Sequence, residues 1–187
     1  MDATTLIAVC ALVVSVASTA LAAWTAFEQR KHMRLSVRPI AAVTLADFEN
    51  RVGVFLVNKG LGPMRVVSFR VVDAEARTYG DIVSAMPELE AGVFWSNFHG
   101  DLDGAALAAD RRVECLVLEG TPADVAFTRS RDRVRRSLGR LTIQVTYEDL
   151  YGQTMERCER KLDFFARHEP GSADESKKTK SRTGSAA

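Results

Sequence analysis

The feature that most constrains this chain is a stretch without charge. Between Asp2 and Glu28 there is no Asp, Glu, Lys or Arg, and residues 6–24 read LIAVCALVVSVASTALAAW. About 20 apolar residues at 1.5 Å rise each cross the hydrocarbon core of a bilayer, whereas a buried helix of a globular domain rarely needs that length. The segment is therefore expected to span a membrane over about residues 4–27. Trp24, near its C-terminal end, suits the headgroup level.

A cleaved signal peptide is the competing reading, because Ala20-Leu21-Ala22 has the small-x-small form of a cleavage site. A signal peptide carries Lys or Arg ahead of its apolar stretch, and here Met1, Asp2, Ala3, Thr4 and Thr5 precede it. The positive charges follow it instead, as Arg30, Lys31, Arg34 and Arg38 around His32. By the positive-inside rule that flank stays in the cytoplasm, so the expectation is a single-pass inner-membrane anchor with everything after residue 28 facing inward. Ala11, Ser15, Thr19 and Ala23 recur every fourth residue, a stripe that would let two helices approach closely in a homodimer. Ala, Ser and Thr are frequent enough here that composition alone also produces such a series.

The run FEQRKHMRL favours helix until the extended bias of the residue before Pro39, so residues 1–35 are read as anchor plus juxtamembrane extension. That makes the linker short and places the following domain close to the inner leaflet. Residues 36–165 form one domain of ordinary size. From Ala166 to Ala187 no aliphatic side chain larger than alanine occurs, and this tail, with Lys177, Lys178, Lys180 and Arg182, is expected to be disordered.

Within 36–165 the pattern changes to short β-rich runs bounded by Gly, Pro, Asn and Asp. Strands are predicted at 37–48, 53–58, 65–73, 93–97, 112–118, 140–148 and 154–165, with short helices around 80–90 and 129–138. About seven short strands make the fold class mainly β, an antiparallel sandwich-like domain behind a transmembrane helix. The clearest strand has Leu141, Ile143, Val145 and Tyr147 alternating with Thr142, Gln144 and Thr146, so one face is buried. Asp149-Leu150-Tyr151-Gly152-Gln153 carries Gly where a reversal needs positive φ, and it predicts a hairpin between 140–148 and 154–165. On the second strand Cys158, Leu162 and Phe164 would share one face, against Arg157, Glu159, Lys161 and Asp163 on the other. Asn58-Lys59-Gly60-Leu61-Gly62-Pro63 is read as a shaped connection between strands, since a phosphate loop would open a helix and the residues after Pro63 look extended.

The apolar N-terminal helix, the entry R-K-H-M-R-L-S-V-R-P, the strand ending N-K-G-L-G-P and the late Y-E-D-L-Y-G hairpin together resemble a group of uncharacterised bacterial single-pass membrane proteins. The similarity covers most of residues 20–165 and departs from the related pattern at Met64. It implies an anchor helix with a β-sandwich-like soluble domain, and it carries over no catalytic residue.

Groups that support chemistry are sparse. A formal net charge of +1 gives no overall attraction to nucleic acid, and no binding module for it is recognisable, so none is expected as partner. Of three cysteines, Cys10 lies in the apolar segment; Cys115 and Cys158 fit no zinc spacing and read as free thiols in strands. In an exported domain they would instead be candidates for a bridge. His99 precedes Gly100-Asp101-Leu102-Asp103-Gly104, which suggests a cation loop, but an EF-hand from Asp101 would need a carboxylate at residue 112, which is Arg112. The loop is read as ordinary turn chemistry, and no metal, cofactor or catalytic residue is assigned.

Residues 128–140 are the densest charge feature, with six arginines against one aspartate. Near a membrane each basic residue is worth about 1 kcal/mol against anionic lipid. Arg30, Lys31, Arg34, Arg129, Arg131, Arg133, Arg135 and Arg136 are thus candidate lipid contacts, against the alternative of a solvated helix neutralised by acidic neighbours. The functional expectation is a non-enzymatic, membrane-tethered interaction module facing the cytoplasm, with a protein partner that the sequence does not name. An exported binding domain and an enzyme of unfamiliar type are the alternatives.

Overall fold

The computed structural model describes residues 2–168, and it divides into two compact units at Arg38/Pro39. The first is a single helix, α1 (Ala3–Ser36), of 34 residues. By length and composition its portion Ala3–Met33 is able to cross a membrane. The hydroxyls of Thr19 and Thr25 donate to the carbonyls of Ser15 and Leu21 at 2.9 and 2.8 Å, so these polar groups are satisfied within the helix itself. Beyond the apolar stretch the helix runs on through Arg30 and Lys31, and the Val37 N–H closes it on the Met33 carbonyl.

The second unit is an antiparallel two-sheet fold, as the strand pattern predicts. One sheet has the order β1 (Ala41–Asp47), β2 (Arg51–Asn58), β7 (Arg112–Glu119), β5 (Asn97–Phe98). The other has the order β4 (Thr78–Tyr79), β3 (Met64–Val72), β8 (Thr142–Glu148), β9 (Cys158–Lys161), with β6 (Ala106–Leu107) also on β3. Between them lie Val43, Val52, Val54, Leu56, Val66, Phe69, Leu116, Leu118, Ile143 and Val145, all buried. Alternation explains β8, where Ile143, Val145 and Tyr147 face inward and Thr142, Gln144 and Thr146 are half-exposed. β2 is buried on both faces, because Phe55 and Val57 pack with Val117 on the outer side beneath the guanidinium groups of Arg51 and Arg112.

Several elements differ from expectation, each for a local reason. The strand predicted from 37 starts at Ala41, because α1 persists to Ser36 and Pro39 has no N–H for a ladder. In the region 93–97 only Asn97 is paired, with Phe98 beside it. The helix predicted at 80–90 is one 3-10 turn, Val83–Ala85, started by Asp81 accepting from Ser84 N–H and stopped ahead of Pro87. The hairpin 140–165 is present, with Thr142 opposite Lys161 and Gly152 at φ 75° in its turn. Its second strand, however, ends at Lys161, and a 3-10 helix, Asp163–His168, follows. That turn changes the parity, so Leu162 and Phe165 are buried while Phe164 is exposed, contrary to the expected Cys158–Leu162–Phe164 face. Ala166 and Arg167 belong to this helix rather than to a tail; residues 169–187, including the basic residues of the tail, lie outside the described part.

The strand pairings define two poles of the β domain. Ala41 stands opposite Asn58, Val57 opposite Arg112 and Arg65 opposite Glu148, so the chain enters at the pole that also carries the 58–64 and 148–154 loops. Asp47, Arg51, Glu119 and Thr142 lie at the other pole, about 20 Å away along β1. The helix α2 (Val125–Leu138) connects β7 to β8 there and covers that end. Asp124 caps it, accepting from Ala126 and Phe127 N–H, and Phe127, Val134 and Leu138 enter the core. Gly120 makes this possible: a Cβ there would lie 2.3 Å from Phe127 Cδ2. Gly120→Ala is expected to cost about 1–3 kcal/mol of unfolding free energy in urea titrations. An unchanged midpoint would mean that Phe127 moves aside freely.

Candidate functional site

The arginine-rich segment predicted as a helix over 129–138 starts earlier, at Val125, because Asp124 supplies the cap. Its arginines divide by function. Arg135 is buried, and its Nε and Nη2 lie 2.8 and 2.6 Å from Asp47 Oδ1, while Nη2 also donates to the Phe48 carbonyl at 2.9 Å. Asp47 has no exposed side-chain surface, and its Oδ2 accepts from Arg167 Nη2 at 2.7 Å. One carboxylate thus joins the end of β1 to α2 and to the last 3-10 helix. Arg131 donates to the Glu49 carbonyl at 2.6 Å and pairs with Asp132, so the β1–β2 turn is held at three points.

Arg133 pairs with Glu90 and donates to the Glu88 carbonyl at 3.4 Å. With the Glu90 N–H donating to Ser130 Oγ at 2.9 Å, it pins the irregular segment before β5 against α2. Arg129 and Arg136 are exposed and have no ion pair among the described residues. A cleft of about 260 Å³ opens beside Arg136, lined by Pro87, Arg133, Arg136, Ser137 and Arg140. Of the guanidinium groups in its walls Arg133 is engaged by Glu90, and the exposed Arg136 beside Ser137 offers a planar, permanently charged donor suited to carboxylate or phosphate oxygens.

Of the arginines expected to meet lipid, Arg131, Arg133 and Arg135 have their charges engaged inside the domain. Arg129 and Arg136 remain free to meet an anion, but on the pole opposite the chain's entry. Arg30 and Lys31 are exposed on α1; the side chain of Arg34 lies outside the described part.

The other sequence candidates have structural roles. Asp103 Oδ1 accepts from the Phe69 N–H at 2.7 Å and Oδ2 from Arg70 Nη1 at 2.8 Å, closing the edge of β3 in the gap between β4 and β6. Burial alone would raise this carboxyl, but the Phe69 N–H and Arg70 outweigh it and hold it below its ordinary value. The adjoining Gly104 N–H donates to the Val66 carbonyl, so the supposed cation loop is a surrogate strand. His99 is exposed, and its N–H is bonded to the Cys115 carbonyl. Cys115 itself is buried, and burial pushes its thiol up to about 12, far from the thiolate that a Cys–His pair needs. Cys10, Cys115 and Cys158 are all free thiols.

No protein-family model, curated protein or solved structure matches the chain. The N-K-G-L-G-P motif also proves architectural. Asn58 is fully buried; its Nδ2 donates to the carbonyls of Gly62, Leu107 and Ala108, and its Oδ1 accepts from Ile40 and Gly60 N–H. Sequence reading missed both hubs, Asp47 and Asn58. For Asn58 the signal was a polar residue closing an apolar strand before two glycines; for Asp47 there was none, because its partners come 88 and 120 residues later.

Proposed function

We propose that this chain is a single-pass anchor of the bacterial inner membrane bearing a non-enzymatic interaction module on the cytoplasmic side. In this reading the module's α2 pole captures an acidic segment of a protein partner. The observation that carries it is the cleft beside Arg136, at the pole farthest along the strands from Pro39. Two further features support it: the apolar length of α1, and the excess of Lys and Arg directly after that length. Rim charges of this kind set on-rate and partner choice more than raw affinity, which suits a transient contact.

Two measurements test the reading. Alkaline phosphatase and, separately, a fluorescent protein that fails to mature after export are fused at Arg167; fluorescence without phosphatase activity is expected, and the reverse would overturn the orientation. A labelled oligoglutamate peptide is then titrated against the full chain in nanodiscs. Arg136→Glu is expected to weaken binding about fivefold or more, the equivalent of about 1 kcal/mol for an exposed pair, with a loss of the remainder at high salt. Equal affinity of the variant and the wild type would remove the cleft from consideration.

A further inference from the structure

The pole at which the chain enters the β domain carries exposed apolar side chains, as the opposite pole does at Phe48, Phe94 and Val125, but here they ride on two braced loops next to the end of α1 in the chain. Leu61, Leu150 and Tyr151 stand at the tips of two loops with 76%, 73% and 60% of their surfaces exposed, and Ile40 is also largely exposed beside them. Neither loop is loose. Leu61 belongs to the connection organised by Asn58, and the same network ties Ile40 in, through its N–H to Asn58 Oδ1 and its carbonyl to the Lys59 N–H at 2.7 Å. In the other loop Asp149 Oδ1 accepts from Tyr151 and Gln153 N–H, both at 2.8 Å, while Asp149 N–H donates to the Gln153 carbonyl. Leu150 and Tyr151 are thus presented outward on a prearranged turn. The Arg65–Glu148 pair at 3.1 Å joins this turn to the start of β3, so both tips share one end. Exposed Lys59 and Arg111 stand on the same pole, Arg111 through its carbonyl accepting from the Asn58 N–H.

Rigid loop tips bearing leucine and tyrosine, with Lys59 and Arg111 exposed beside the acidic Asp110 and Asp149 on the same pole, match the chemistry of the bilayer interface, where apolar bodies enter the acyl boundary and cations meet anionic headgroups. The chain supplies the proximity: only residues 37–40 separate the end of α1 from β1. We infer that the β domain seats this pole on the anionic surface of the bilayer, with Leu61, Leu150 and Tyr151 inserted at the headgroup level and Lys59 and Arg111 over the phosphates. The inference rests on reading α1 as a membrane span. It moves the lipid contact within the domain from the α2 arginines to the opposite pole and leaves α2 open to a partner.

The test uses the full chain in vesicles of phosphatidylcholine and phosphatidylglycerol, with a benzophenone amino acid placed at residue 61, at residue 150 or, for comparison, at residue 129 on α2. After irradiation the adducts are identified by mass spectrometry. Lipid adducts from residues 61 and 150 are expected to exceed those from residue 129 about tenfold, and to fall when Lys59→Glu and Arg111→Glu are introduced together. Equal lipid labelling at all three sites, or adducts from 61 and 150 to a second copy of the chain instead of lipid, would overturn the inference while leaving the span intact. Extraction of the wild-type chain by alkaline carbonate would overturn the span and the inference together.

Discussion

Asp47→Ala is expected to destabilise the β domain by about 3 kcal/mol or more, the cost of leaving a buried guanidinium with only the half-exposed Asp132 as counter-charge. Arg135 has 8% of its side chain exposed and Asp47 none, so water cannot replace the lost partner. The carbonyl of Phe48 would remain as acceptor for Nη2 and Asp132 as the partner of Nη1 at 3.2 Å, but a neutral dipole and a half-exposed carboxylate do not replace the buried one. Urea unfolding followed by tyrosine and tryptophan fluorescence measures the effect. A companion series separates the pair from its two members. Arg135→Met alone removes the buried partner of the carboxylate, leaving it to the exposed Arg167, and should also destabilise, whereas Asp47→Leu with Arg135→Met replaces both charges by apolar volume and should recover most of the loss. Arg167→Ala should cost about 1 kcal/mol or less, since that side chain is 42% exposed and solvent screens it. If Asp47→Ala unfolds within about 1 kcal/mol of the wild type, the carboxylate is not the joint described above.

The second large effect is expected at Asn58. Substitution by leucine keeps the volume near that of the native side chain but abandons five polar partners on three segments. Each buried group left unsatisfied costs about 1–3 kcal/mol, with partial relief where water enters, so a total near 3–5 kcal/mol is expected. Asn58→Asp is the more informative change. It retains the acceptor for Ile40 and Gly60 N–H but turns an oxygen toward the carbonyls of Gly62, Leu107 and Ala108 in place of the amide donor. The aspartate variant should therefore be no more stable than the leucine variant, although it is the closer isostere. An aspartate variant of wild-type stability would show that the donor half of the amide contributes nothing, and with it the link between the two sheets at that pole.

These two residues also show where the chain was legible and where it was not. The two-sheet fold could be read because alternation in β8, the apolar run of β2 and the Asp149–Gln153 turn are each local, set by periods of two and by one positive φ. Boundaries failed where a contact from elsewhere decided them. Phe165 rather than Phe164 is buried because a 3-10 turn after Lys161 resets the parity, and the two-residue strands β4 and β6 exist only as pairing partners of β3. The arginine segment was visible as a charge run, yet its sequence could not show that Arg135 meets Asp47 or that Arg133 meets Glu90. Composition reports the charges; only the topology assigns them. Residues 101–104 illustrate the converse: the carboxylates resembled a cation loop, but Phe69 and Arg70 had already engaged Asp103.

The joint at Asp47 has a kinetic consequence. Both arginines that neutralise it lie far along the chain, at separations of 88 and 120 residues. While the protein is being made, β1 and β2 emerge early and can form their hairpin, but its closing carboxylate stays in water until α2 and then the last 3-10 helix arrive. Contacts of such separation form slowly, because loop closure must precede any gain from them. The nascent domain is therefore held open at one end until nearly all of it has been synthesised, with the apolar inner faces of β1 and β2 uncovered meanwhile. Where α1 spans a membrane, as proposed above, that interval is passed at the membrane surface rather than free in solution, and the surface itself becomes part of the folding environment.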